Sequence, residues 1–215
     1  MEFKLIENKV KELSTLAGVV IKRIVFAPSI SLSVLKEIEE RIGFRFPESL
    51  RSLYTNQAGC VKFSWSSVEE LFGSQCNKGF FKLASPTEIR MRYEDMKGVV
   101  EEYKDDADEL NENEGAQALV TDWRHWIPIM FFPNGDAFCI ETRENNYPIV
   151  FLEHDVIDGG PNLHGLKIAK NTEDLIDKWS KLFFVDLYDW TLGVNDEGID
   201  LSKDVFNKLL KYSSI

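Results

Sequence analysis

Apolar side chains fall at Phe3, Ile6, Val10, Leu13 and Leu16, in steps of three or four, which predicts an amphipathic helix over residues 2–16 closed by Gly18. Val19 to Phe26 is β-branched and reads as a strand or an extended connector, broken by Pro28. Leu35, Ile38 and Ile42 define the buried face of a second helix, with Ser31 or Ser33 at its cap and Gly43 at its end. Phe46-Pro47 opens a short third helix whose inner face is Leu50, Leu53 and Tyr54. Val61, Phe63 and Trp65 then alternate with Lys62 and Ser64, which is strand periodicity, and Phe80 to Leu83 is a further short strand. Ser85-Pro86-Thr87-Glu88 is a capping box with proline in the first turn. It predicts a helix running toward Leu110, with Gly98 as its weak point.

Residues 126 to 141 carry the clearest local signal. Two apolar runs, Ile127 to Phe132 and Ala137 to Ile140, flank Pro133-Asn134-Gly135-Asp136. Asn-Gly between such runs predicts a tight hairpin. Pro148 to Leu152 is a third strand beside it. Asn171 or Thr172 caps a helix bearing Leu175, Ile176, Trp179, Leu182 and Phe183 on one face. A last short helix starts near Ser202, with Val205, Phe206, Leu209 and Leu210. Strands and helices are partly segregated without βαβ regularity, so the expected class is α+β.

Composition narrows the function. The chain has 215 residues, 44% hydrophobic and 28% charged, which suits one globular domain with extensions. The N-terminus lacks the basic start and apolar run of a signal peptide. No apolar run approaches the roughly 20 residues that span a bilayer, so a cytoplasmic, non-membrane protein is expected. Cys60, Cys76 and Cys139 are odd in number and lack Cys-x-x-Cys spacing, which points to free thiols. The net charge is −11, and nucleic-acid binding needs the opposite sign, so no nucleic-acid partner is expected.

Chemistry is sparse. The sequence holds no phosphate loop, no Gly-x-Gly-x-x-Gly after a strand, no His-Glu-x-x-His and no Gly-x-Ser-x-Gly elbow. His154, Asp155, Asp158 and His164 form the one cluster with metal-ligand residue types, at a spacing that fits no ligand pattern. Cys139 with His125 or His154 is the one conceivable nucleophile and base, but Cys139 sits in an apolar strand as a small hydrophobe. The expectation is no catalytic residue, no metal and no cofactor. Residues 93–114 hold ten acids against Lys97 and Lys104, and so carry −8 of the −11. This segment is either a solvated surface or an acidic docking face. Trp123-Arg124-His125-Trp126 offers either interface anchors or covers of a sheet edge.

The stretch from Leu35 through Arg41-Ile42-Gly43, the Phe46-Pro47 step and Leu50 to Asn56 and Gly59 resembles the opening signature of the SMI1/KNR4, or SUKH, family. Phe46 takes the usual leucine place, and Gln57-Ala58 interrupts the terminal Asn-Gly. Ile127 to Ile140, Pro148 to Leu152 with His154-Asp155, and Ala169 to Leu182 resemble the family's hairpin, following strand and closing helix. The resemblance implies a SUKH-like single domain, with a mixed or mainly antiparallel sheet of about five or six strands and helices packed around it. The boundaries it suggests are an N-terminal helical extension over 1–27, the SUKH-like domain over 28–184, and a C-terminal extension packed on it over 185–215. It implies a non-catalytic, bacterial immunity protein that binds a cognate toxin domain, nuclease- or deaminase-type. A regulatory or scaffolding protein of the glucan-synthesis kind is the alternative, and a small-ligand binder or enzyme using the sheet groove is the third. The expected partner-binding residues are Glu101, Glu102, Asp105, Asp106, Asp108, Glu109, Trp123 and Trp126.

Overall fold

The structure is a computed structural model that describes residues 2–104, 120–154 and 163–213. Helix α1 (Glu2–Thr15) leads into strand β1 (Val19–Ala27), and helices α2 (Leu32–Ile42) and α3 (Glu48–Asn56) bridge to β2 (Cys60–Ser67). A one-turn helix, α4 (Glu69–Phe72), and β3 (Lys78–Leu83) follow, and then the long α5 (Pro86–Tyr103). The second half runs β4 (Trp126–Phe131), β5 (Ala137–Glu141), β6 (Ile149–Leu152), β7 (Lys167–Ala169), α6 (Thr172–Lys181), β8 (Val194–Asn195), β9 (Gly198–Ile199) and α7 (Asn207–Leu210). Strands β1 to β7 form one sheet in chain order, and every neighbouring pair is antiparallel. The class is α+β as expected, and among the described residues the sheet has seven strands against the expected five or six or so. The ambiguous Val19 segment is a strand because β2 pairs with it along its whole length. The three-residue β7 was too short to leave a periodic signal.

The caps explain where the helices begin. Ser31 accepts from the Val34 N–H at 3.3 Å, and Gly43 ends α2 in the left-handed region at φ 71°. Ser85 and Glu88 form the capping box reciprocally at the start of α5. Asn171 accepts from the Asp174 N–H at 2.9 Å to start α6. Between α2 and α3 the turn is held by a buried ion pair. Glu39 accepts from the Phe46 N–H at 2.9 Å and pairs with Arg51, and both side chains are buried. Within the described residues α5 runs to Tyr103; the expected continuation to Leu110 lies outside them.

The β4–β5 hairpin closes differently from the two-residue turn expected. The Phe132 N–H donates to the Asp136 carbonyl at 2.9 Å, enclosing Pro133-Asn134-Gly135. Only Gly135 takes a positive φ, 106°. Proline at the first loop position fixes φ near −65°, so the chain follows a three-residue loop with glycine supplying the reversal.

One face of the sheet packs a core of aromatic rings. Phe63 and Phe81 stack at 5.5 Å, and Phe184 meets both at 5.2 and 4.6 Å. Trp179 of α6 lies 5.1 Å from Phe138, and Trp190 packs on both. The Trp65 indole donates to the Phe183 carbonyl at 2.7 Å, across 118 residues of chain. Residues after α6 then run along β3 where β4 has diverged. Phe80 donates to the Phe184 carbonyl at 3.2 Å, and Asp186 to the Lys78 carbonyl at 3.1 Å. Phe183 and Phe184 hold φ of 50° and 57°, a conformation bulky residues rarely adopt.

Gly79 is required by this arrangement. A Cβ there would meet Trp65 Nε1 at 2.0 Å and the Phe184 carbonyl oxygen at 2.8 Å. Gly79→Ala is therefore expected to destabilise the fold by about 3 kcal/mol, the upper range for overpacking a core. Urea unfolding checks this, and a loss below about 1 kcal/mol contradicts it.

Candidate functional site

The described residues of α5 cover one half of the sheet's second face. Met96 and Val100 pack on Trp123, Trp126, Ala137, Cys139, Val150 and Leu152. Tyr93 reaches past them, and its hydroxyl donates to the Arg124 carbonyl at 2.7 Å. Trp123 to His125 make a single 3-10 turn, and Trp126 starts β4. The structure thus brings the tryptophans and the acidic end of α5 into one layer. It also corrects the expectation that the rings are anchors. Trp123 is 7% exposed and Trp126 2%, because α5 lies over them, so neither offers a face to a partner.

Around Trp126 lies a cluster of charged groups. Its indole donates to Glu141 Oε2 at 2.8 Å. Arg143 donates through Nε to both Glu141 oxygens and through Nη2 to Asp122 Oδ1 at 2.8 Å. His164 stacks on Trp126 with centroids 4.5 Å apart, and its Nε2 is 3.7 Å from Asp122. Burial alone would raise the Glu141 carboxyl, but Arg143 and the Trp126 indole outweigh it and hold the pKa below the usual range. Asp122 is held low in the same way: burial raises it, and His164 and Arg143 more than offset that. Two ionised carboxylates, one guanidinium and an indole make a self-satisfied network. Its parts are an anchor for the loop after β5, not an acid and base with split pKa values.

His154 Nδ1 is 2.8 Å from Asp136 Oδ1, against the β4–β5 loop, whereas His164 lies beside Trp126 at the start of β4. At about 3.3 Å per residue, the length of β4 puts the two histidines roughly 20 Å apart, too far to share one ion. Asp155 and Asp158 lie outside the described residues. Among the described residues no group of three or more His, Cys, Asp or Glu is arranged to hold a metal. Cys139 is buried, and burial pushes its thiol well above the ordinary value, the opposite of an activated nucleophile. Of the acidic set, Glu101 and Glu102 are exposed near the end of α5, with Glu101 ion-paired to Lys104. Glu94 pairs with Arg90 one turn earlier, and Asp95 is exposed. Asp105, Asp106, Asp108 and Glu109 lie outside the described residues. No helix among the described residues is long and apolar enough to cross a membrane.

Sequence reasoning missed Glu141 and Arg143. Their partner Asp122 is about 20 residues away, and only the β4–β5 hairpin brings the three together. The signal present was a Glu-Thr-Arg following an apolar strand, which by itself reads as a solvated strand end.

The architecture is that of an α+β domain in which an in-order antiparallel sheet carries helices on both faces. The model of the SMI1 / KNR4 family (SUKH-1) matches residues 29–178, and the chain belongs to that family. Neither the curated proteins nor the solved structures hold a match to it.

The charged cluster sets a pH dependence. Both carboxyls have folded pKa values below their unfolded ones, so their contribution to stability is full above the unfolded pKa of about 4. It is lost as pH falls through the lower folded values. Urea unfolding between pH 6 and pH 3 should show stability falling on the acid side, and Arg143→Met should flatten that fall. An unchanged slope in the variant contradicts the ion-pair assignment.

Proposed function

We propose that the chain is a non-catalytic binding protein that acts in the cytoplasm and captures a basic protein partner, as a bacterial immunity protein captures a cognate nuclease- or deaminase-type toxin. Family membership supports a SUKH role. The single observation that carries the docking face is charge placement. Ten acids and two bases fall between residues 93 and 114, and the described part of that segment exposes Glu94, Asp95, Glu101 and Glu102 on α5. Among the described residues Asp95 and Glu102 have no cation within ion-pair distance, so their field is open to a partner. Asp105, Asp106, Asp108 and Glu109 continue the same charge in sequence. In this reading the acids steer encounter, and Trp123 and Trp126 act from beneath by fixing the α5 platform. The free state of all three cysteines fits a reducing compartment.

Steering by exposed charge fades when salt screens it, over about 8 Å at physiological ionic strength. Neutralising Glu101, Glu102, Asp105 and Asp106 to Gln or Asn should slow association with the cognate toxin about tenfold at low salt and much less at high salt. Stability should change by no more than about 0.5 kcal/mol. Stopped-flow association of wild type and variant at both salts checks this. Equal rates at both salts contradict the docking role of the segment.

A further inference from the structure

The two halves of the sheet are covered unequally. Every residue of β5 and β6 is buried, because α5 and its neighbours close the second face there. On β2 buried and half-buried positions alternate from Cys60 to Ser66, and the half-buried ones on this face are Cys60, Lys62, Ser64 and Ser66. Register places Arg23 of β1 opposite Ser64, Val25 opposite Lys62, and Lys82 of β3 opposite Lys62, all on this less covered face. Lys82 is taken up by Glu88 at 2.9 Å, and Lys62 lies over the Phe80 ring at 5.5 Å. Among the described residues, Lys22, Arg23 and Lys62 have no acidic partner. Lys22 and Arg23 on the edge strand and Lys62 on its neighbour thus form a local basic patch in a chain of net charge −11.

That edge is also where apolar surface is exposed. Val20 is 59% exposed, Ile24 47% and Phe26 36%. Among the described residues β1 pairs on one side only, with β2. Ser14, Val19, Ile21, Lys22, Arg23 and Ile24 line a groove of about 410 Å³ between the end of α1 and this strand. The ladder is broken once, between Ile21 and Arg23, and is regular from Arg23 to Ala27. An unpaired row of backbone donors and acceptors next to exposed apolar side chains is a template for another strand.

We propose that the outer edge of β1 is a docking site for an extended segment of another protein in which acidic residues alternate with apolar ones, added as an eighth strand. The backbone of the segment would complete the free ladder, its apolar side chains would cover Ile24 and Phe26, and its carboxylates would face Lys22, Arg23 and Lys62. Charge selects this occupant over the others. A second copy of β1 would bring two more cations into the same patch, and like charges on paired strands destabilise them. A nucleic acid would meet the field of a chain with 36 acids against 25 bases. The site is three strands away from β4, on which α5 packs, and it does not depend on the acidic face of α5.

The test uses the full chain, labelled with ¹⁵N, and two soluble peptides of about ten residues, one alternating valine with glutamate and one alternating valine with lysine. The glutamate peptide should shift the amide signals of residues 20–26 and slow their hydrogen exchange, and the lysine peptide should do neither. Lys22→Glu with Arg23→Glu should weaken the glutamate peptide by roughly tenfold and bring in the lysine peptide. Both substitutions are at exposed positions, and the amide spectrum reports that the fold is kept. Glu101→Gln with Glu102→Gln should leave peptide binding unchanged, which separates this site from the docking face of α5. The proposal is overturned if neither peptide protects β1, if both bind alike, or if β1 is protected by raising the concentration of the chain alone.

Discussion

The hydrogen bond from the Trp65 indole to the Phe183 carbonyl holds the rest of the structure together. It joins the centre of β2 to the exit of α6, and it is possible only because Gly79 has no side chain to stand between the two. β3 pairs with β4 at a single position, Leu83 with Met130, so its first residues would have an open edge. The segment after α6 fills that edge, and Trp65 fixes it there. Two aromatic residues in a left-handed conformation, each costing about 1–3 kcal/mol, are tolerated for this closure. Phe184 in turn sits among Phe63, Phe81 and Trp179, so the strap is also part of the core. The chain's two ends meet at the same place. Lys9 of α1 donates to Ser213 at 3.0 Å and lies over the Phe183 ring at 5.2 Å.

The sheet is continuous, but its two halves differ. Ser85 caps α5 directly after β3, which sends the helix over β4, β5 and β6 rather than back over β1 and β2. The covered half carries a tryptophan-centred cluster and the acidic end of α5. The other half keeps an edge strand with basic and apolar residues. The acidic end of α5 and the basic edge at β1 therefore lie over different parts of one sheet.

Much of this was legible in the sequence, for identifiable reasons. Helices with a side-chain cap and a three-to-four apolar step, such as α2 and α6, fall where their periodicity puts them. The Asn134-Gly135 turn is in place, but Pro133 changes its length, because a fixed φ before Asn-Gly alters the loop geometry. β7, β8 and β9 are two or three residues long and carry no period to detect. At the candidate site, the acids were visible as a run of like charge. The burial of Trp123 and Trp126 was not, because a short Trp-rich turn reads the same whether a helix covers it or solvent does. The Glu141–Arg143–Asp122 network depends on a hairpin contact, and no local pattern announces a contact between separate segments.

The proposed binding role requires that the chain act by occupying a partner and not by altering it. The direct measurement is titration of the proposed toxin partner with the chain, at fixed toxin concentration well above the dissociation constant, with residual toxin activity as the readout. A binding protein should abolish activity with a sharp end point at one equivalent, leave the toxin covalently unchanged, and release active toxin on denaturation. Loss of activity at a small fraction of one equivalent, growing with time and surviving removal of the chain, would contradict the account.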